Sequence, residues 1–109
     1  MTTTNNSSSA SVNTGGLAMV LLTIALGVAK VTDNLWGERW SKLVANVMGN
    51  GLSACTGLPG GEILQSEPLR RFSTRLGSEA IRVGQAHGYQ LEEILHLPPE
   101  TIARAGEGD

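Results

Sequence analysis

One segment narrows the choices for this chain more than any other: the thirteen-residue run Leu17-Ala-Met-Val-Leu-Leu-Thr-Ile-Ala-Leu-Gly-Val-Ala29, which carries no charge. A helix that is apolar nearly all round needs cover on several sides. The run is too short to span a hydrocarbon core, which takes about 20 residues. Its length also suits the core of a secretory signal, but no Lys or Arg precedes it, where a signal peptide carries a positive region. We read it as a core helix.

Little of the remaining chain is able to supply that cover. Residues 1–16 read MTTTNNSSSASVNTGG, with Val12 as the lone aliphatic branch and no charged side chain. Such a stretch buries too little apolar surface to offset the ~1–2 kcal/mol of backbone freedom lost per ordered residue. It reads as a disordered start. About ninety of the 109 residues remain, a size at which a lone hydrophobic core is marginal. Eight basic and ten acidic residues are scattered along the chain at a net charge of −2. That balance argues against a nucleic-acid or membrane-surface partner. The one cysteine, Cys55, permits no internal disulfide and no closed thiolate metal site, so a reducing, cytoplasmic setting is expected.

Local signals divide the rest of the chain. Gly27 stops the apolar helix, and Val28–Thr32 reads as a brief strand or an extended connector. Asp33 or Asn34 then caps a long helix from about Leu35 to Cys55, with Glu38 in its early turns. Gly49 and Gly51 weaken that helix, and Thr56-Gly-Leu-Pro-Gly-Gly61 ends it. After a short turn at 62–65, Ser66-Glu-Pro68 is a strong helix start. The helix that follows carries Leu69, Phe72, Leu76, Ala80 and Val83 at three- and four-residue spacing and stops at His87-Gly88. Leu91–Leu95 reads as at most two helical turns, and residues 98–109 as a frayed tail.

The informative helix is Trp36-Gly-Glu-Arg-Trp-Ser-Lys-Leu-Val-Ala-Asn-Val-Met-Gly-Asn50. With Lys42 at zero and about 100° per residue, Asn46 falls near about 40° and Asn50 near about 80°. Leu43, Trp36, Val47 and Trp40 form an adjoining apolar stripe, and Ala45 and Gly49 lie on the other side of the lysine. One cation and two carboxamides stacked over two turns suit a small anionic substrate carrying carbonyl or hydroxyl groups. The same spacing also describes an ordinary solvated helix face.

The segment Asn34-Leu-Trp-Gly-Glu-Arg-Trp-Ser-Lys-Leu-Val-Ala-Asn-Val-Met-Gly-Asn-Gly-Leu-Ser-Ala-Cys-Thr-Gly57 resembles the opening of the C-terminal domain of ketopantoate reductases (2-dehydropantoate 2-reductases). The shared pattern is W-x-K-L-x-x-N-x-x-x-N followed by small residues. Gly61-Glu-Ile-Leu64 and Leu76-Gly-Ser-Glu-Ala80 through His87-Gly88 continue the resemblance in order. It implies an all-α fold of the ketopantoate reductase/6-phosphogluconate dehydrogenase C-terminal type, occupying residues 33–97. Residues 17–32 correspond to a remnant of the helix and connector leading out of a Rossmann domain. In that family the Rossmann domain binds NADPH, and a small 2-oxo acid sits in the cleft between the domains. By position, Lys42 is similar to the catalytic lysine that protonates the ketone oxygen, and Asn46 and Asn50 match substrate-binding asparagines. Glu79 falls on a glutamate position, read as a buried structural carboxylate.

The departures matter equally. No G-x-G-x-x-G follows an N-terminal strand, and Gly15-Gly16 before an apolar helix is too little to cradle a pyrophosphate. The family's later helices, with a substrate-binding serine and glutamate, have no counterpart up to Asp109. The chain is therefore expected to bind no cofactor alone and to lack activity without a Rossmann half. The alternative is a non-catalytic helical module that self-associates through its apolar faces. Which 2-oxo acid is used stays open. Cys55 reads as a small buried residue, His87 and His96 as non-ligands of metal, and Trp36 and Trp40 as core and domain-seam anchors.

Overall fold

The computed structural model describes residues 14–22, 25, 27 and 31–109. The chain divides into two units, Met1–Asp33 and Asn34–Asp109. In the first, helix α1 covers residues 14–22. The disordered start proposed for residues 1–16 lies outside the described residues up to 13, and from 14 onward it is helical instead. Leu, Ala and Met propagate a helix well enough to carry it back over Gly15 and Gly16. Leu17, Met19, Val20, Leu21 and Leu22 are all more than half exposed, so the reading of this run as a core helix is not met over residues 17–22. The connector at 28–32 lies largely outside the described residues; Val31 and Thr32 have no regular structure.

The second unit is mainly helical, with an irregular connection over residues 87–98. Helix α2 (Leu35–Asn46) runs into a widened π turn (Val47–Gly51) and then α3 (Leu52–Thr56). Next come α4 (Gly60–Gln65), the long α5 (Glu67–Ala86) and α6 (Pro99–Glu107). No strand occurs among the described residues, and no helix there is long and apolar enough to cross a membrane. The core is Val44 from α2, Ile81 from α5, Ile94 from the α5–α6 connection, and Ile102 and Ala103 from α6.

The buried side of α5 combines small residues with Ile81, and of the apolar stripe Ala80 packs against the core while Leu69 and Leu76 are only half-buried. Gly77, Ser78, Ile81 and Gly84 face inward, whereas Phe72 and Val83 are about half exposed. The reason is close helix approach. A Cβ at Gly84 would strike the Trp40 indole, one at Gly77 the Met48 side chain, and one at Gly106 of α6 the Ser78 side chain and the Thr74 carbonyl. Polar groups at these seams are paired: the Ser78 hydroxyl donates to Ala103 O at 2.7 Å, and Trp40 Nε1 donates to Ala80 O at 2.8 Å.

Three further expectations change. The frayed tail over 98–109 is α6, whose Ile102 and Ala103 are buried. Pro99 occupies its first turn, where a missing N–H costs nothing, and Gly108 closes it in the left-handed region at φ 101°. Leu91–Leu95 is not helical, because its backbone is engaged elsewhere. Asn34 Nδ2 donates to Gln90 O at 2.7 Å, and Glu92 N donates to the Ser41 hydroxyl at 2.8 Å. The segment ends in a tight turn in which Ile94 and Leu97 exchange both backbone hydrogen bonds. Leu95 and His96 take positive φ there, an unfavourable conformation for non-glycine residues. Asn34 itself sits at the start of α2 without a side-chain cap, since its amide reaches across to the α5–α6 connection. By contrast, the stop at His87-Gly88 is as expected. Gly88 has φ 82°, and Tyr89 N donates to Gly84 O at 3.0 Å, the pairing that closes a helix around a left-handed residue.

Arg82 joins α5 to α6. Its guanidinium donates to both oxygens of Glu100 and of Glu107. These hydrogen bonds are the main cause that holds both carboxyls below the ordinary glutamate value of 4.5. A carboxyl depressed in the folded state contributes stability that is complete above its unfolded pKa and is lost as pH falls through the folded one. Thermal unfolding midpoints should therefore drop on acidification below about pH 4.5, and Arg82→Met should flatten that part of the profile. Identical slopes in the two proteins would show that the clamp contributes nothing.

Candidate functional site

Of the predicted site residues, Lys42 and Asn46 lie on the outward face of α2, and Asn50 follows in the π turn. The inward face is fixed by Gly37, Ser41 and Val44, all buried. The Ser41 hydroxyl donates to Gly37 O at 2.7 Å and accepts from Glu92 N, and a Cβ at Gly37 would collide with Gln90 O. The helix is thus held in one rotation. That rotation exposes Lys42, Asn46 and Asn50, and none of the three makes a hydrogen bond or ion pair among the described residues.

The three do not share a uniform helix. Lys42 and Asn46 belong to α2, whereas Asn50 belongs to the π turn. A turn closed five residues apart advances by about 80° per residue rather than about 100°. Four such steps from Asn46 return Asn50 to within about 10–20° of the lysine's line, instead of the roughly 80° expected of an α-helix. On ideal geometry the widened turn therefore brings Asn50 nearer to the lysine's line. Gly49 and Gly51, which weaken a regular helix, are the sequence signal for it. Ser73 on α5, which sequence reasoning missed, donates its hydroxyl to Met48 O inside this turn at 2.8 Å.

The apolar stripe assigned to α2 splits. Trp40 is half buried over Gly84 and anchors α2 to α5, as expected. Trp36 is 61% exposed and Leu43 46% exposed, so neither is a core residue. Trp36 instead stacks on Tyr89, with ring centroids 6.3 Å apart and an interplanar angle of 13°. The Arg39 guanidinium lies 5.1 Å from the Trp36 ring centroid. His87 completes this aromatic group, 6.2 Å from Trp40 and 5.9 Å from Tyr89. The physical reason for the split is register: with Gly37, Ser41 and Val44 inward, Trp36 and Leu43 are turned outward.

Two other assignments are corrected. Cys55 is exposed, because the short α3 has Leu52 as its one buried residue. Glu79 is exposed rather than buried, on the side of α5 away from Gly77, Ser78 and Ile81. His96 lies exposed in the tight turn. Among the described residues no three His, Cys, Asp or Glu side chains come together. A groove between the start of α5 and the end of α6 is lined by Glu67, Arg70, Arg71, Arg75 and Asp109. Its three arginines face two carboxylates, and it does not include Lys42 or either asparagine.

A family model described as ketopantoate reductase PanE/ApbA C terminal matches residues 34–105, nearly the whole of the second unit. Neither a curated protein nor a solved structure gives a match.

Proposed function

The chain belongs to the ketopantoate reductase C-terminal domain family, and from that premise we propose that its helical unit is the substrate-facing part of an NADPH-dependent reductase of ketopantoate or a related 2-oxo acid. One observation carries this reading. Lys42, Asn46 and Asn50 are all exposed and engaged by no neighbour among the described residues, following one another along α2 and its π turn, and the opposite face of α2 is locked. In this reading Asn46 and Asn50 hydrogen-bond the carboxylate and hydroxyl groups of the oxo acid. Lys42 places its ammonium at the ketone oxygen and gives it a proton as that oxygen gains charge.

NADPH does not fit the residues present here. A dinucleotide needs a strand, a glycine turn and a helix N-terminus to cradle its pyrophosphate. Gly15 and Gly16 instead lie within α1, and no strand occurs among the described residues. We assign the cofactor to a separate Rossmann domain; NADPH bound there would supply the reducing hydride. Pantothenate biosynthesis in the cytoplasm is the matching setting, where an exposed lone thiol such as Cys55 stays reduced.

The test joins this chain to a related Rossmann domain and the family's distal helices, and follows NADPH absorbance with ketopantoate. The joined protein is expected to turn over, and the 109-residue chain by itself is not. A folded fusion that binds NADPH but neither reduces nor binds any 2-oxo acid would refute the proposal. The second reading, a self-associating helical module, rests on the exposure of Trp36, Leu43, Phe72 and Val83. It predicts a concentration-dependent oligomer in sedimentation that no oxo acid perturbs.

A further inference from the structure

The π turn sits between the two asparagines, and its backbone is held from outside. In an ordinary α-helix the Met48 carbonyl accepts from Leu52 N. Here Val47–Gly51 is a π turn, its exit tightened by Leu52 N donating three residues back to Gly49 O, and the Met48 carbonyl takes the Ser73 hydroxyl at 2.8 Å. The Met48 side chain is held as well: it lies against Gly77, where a Cβ would strike its Sδ and Cγ. One residue of the turn is therefore gripped at both its carbonyl and its side chain, both times from α5.

We propose that Ser73 is a positioning residue for Asn50: by donating to the Met48 carbonyl it keeps the Val47–Gly51 turn widened and so holds Asn50 in line with Lys42 and Asn46. The inference rests on the reading of those three residues as the oxo-acid line. The physical steps are short. Narrowing the turn to ordinary α geometry would advance Asn50 by roughly 60–80° around the helix. That moves its carboxamide off the line while leaving Lys42 and Asn46, which precede the turn, where they are. Widened turns of this kind recur at functional sites because they re-aim one side chain within an otherwise regular helix. Gly49 and Gly51 make this one easy to form; the Ser73 hydroxyl favours it over the regular alternative.

The experiment uses the full 109-residue chain, isotope-labelled, with ketopantoate as the probe in nuclear magnetic resonance. The wild type should show backbone contacts five residues apart across Asn46–Leu52, and the side-chain amide signals of both Asn46 and Asn50 should move on titration. Ser73→Ala should convert those contacts to four-residue spacing and abolish the Asn50 response. It should weaken binding about two- to tenfold, the worth of one net hydrogen bond, while Asn46 still responds. Ser73→Thr, which keeps the hydroxyl, should restore the wild-type pattern. An unchanged turn and an unchanged Asn50 response in Ser73→Ala would overturn the proposal. So would equal damage in Ser73→Ala and Ser73→Thr together with altered Val44 and Ile81 methyl signals, which would make the role merely structural. If ketopantoate moves nothing in the wild type, yet Ser73→Ala still narrows the turn, the hold of Ser73 on the turn is supported, and the joined protein decides the oxo-acid reading.

Discussion

Lys42→Ala is expected to lower kcat by about 10²–10⁴-fold in the joined two-domain protein, with NADPH affinity nearly unchanged. Reduction of the ketone leaves a developing alkoxide, and a positioned ammonium can both neutralise and protonate it. Lys42 is exposed on α2 and engaged by no neighbour among the described residues, so its removal leaves the fold intact and isolates the chemical loss. Lys42→Arg should rescue little. The charge survives, but guanidinium is a far weaker acid and its planar fork differs in shape. Asn46→Ala and Asn50→Ala should chiefly raise KM for the oxo acid. Full turnover in Lys42→Ala with only a raised KM would mean that the lysine merely binds, and that the proton comes from elsewhere.

The second large effect concerns stability. Ile81 is fully buried between α2 and α6, and Ile81→Ala should cost about 2–5 kcal/mol through lost transfer energy and the cavity left behind. Against a typical domain stability of about 5–15 kcal/mol, and in a unit small enough to sit at the low end, that loss approaches complete unfolding. Phe72→Ala removes a larger side chain but one 51% exposed, and should change stability by no more than about 0.5 kcal/mol. Urea unfolding of the two variants decides the matter. A Phe72→Ala loss exceeding that of Ile81→Ala would place the core on the other face of α5.

Several features were legible without coordinates because they depend on neighbouring residues alone. Ser66-Glu-Pro68 announces α5, and His87-Gly88 ends it, since a left-handed residue closes a helix through bonds that are local. The all-helical class and the family both follow from the long pattern around Trp40, Lys42, Asn46 and Asn50. That pattern is a matter of order along the chain.

The tertiary structure alone decided which side of each helix is inside. α5 carries two stripes, an apolar one through Phe72 and Val83 and a small one through Gly77, Ser78 and Gly84. Periodicity favours the first, because hydrophobic burial is the larger effect for each side chain. Packing chose the second, because small residues let α5, α2 and α6 approach closely, and close approach buries Val44, Ile81 and Ile102 more fully. The same logic made α6 out of an apparent tail: Pro98-Pro99 marks a stop or a start equally well until Arg82 and Ser78 supply partners across from it. The widened turn at Val47–Gly51 was hidden for the same reason. Its glycines permit more than one local geometry, and the hydroxyl that contacts the turn lies 25 residues away in sequence.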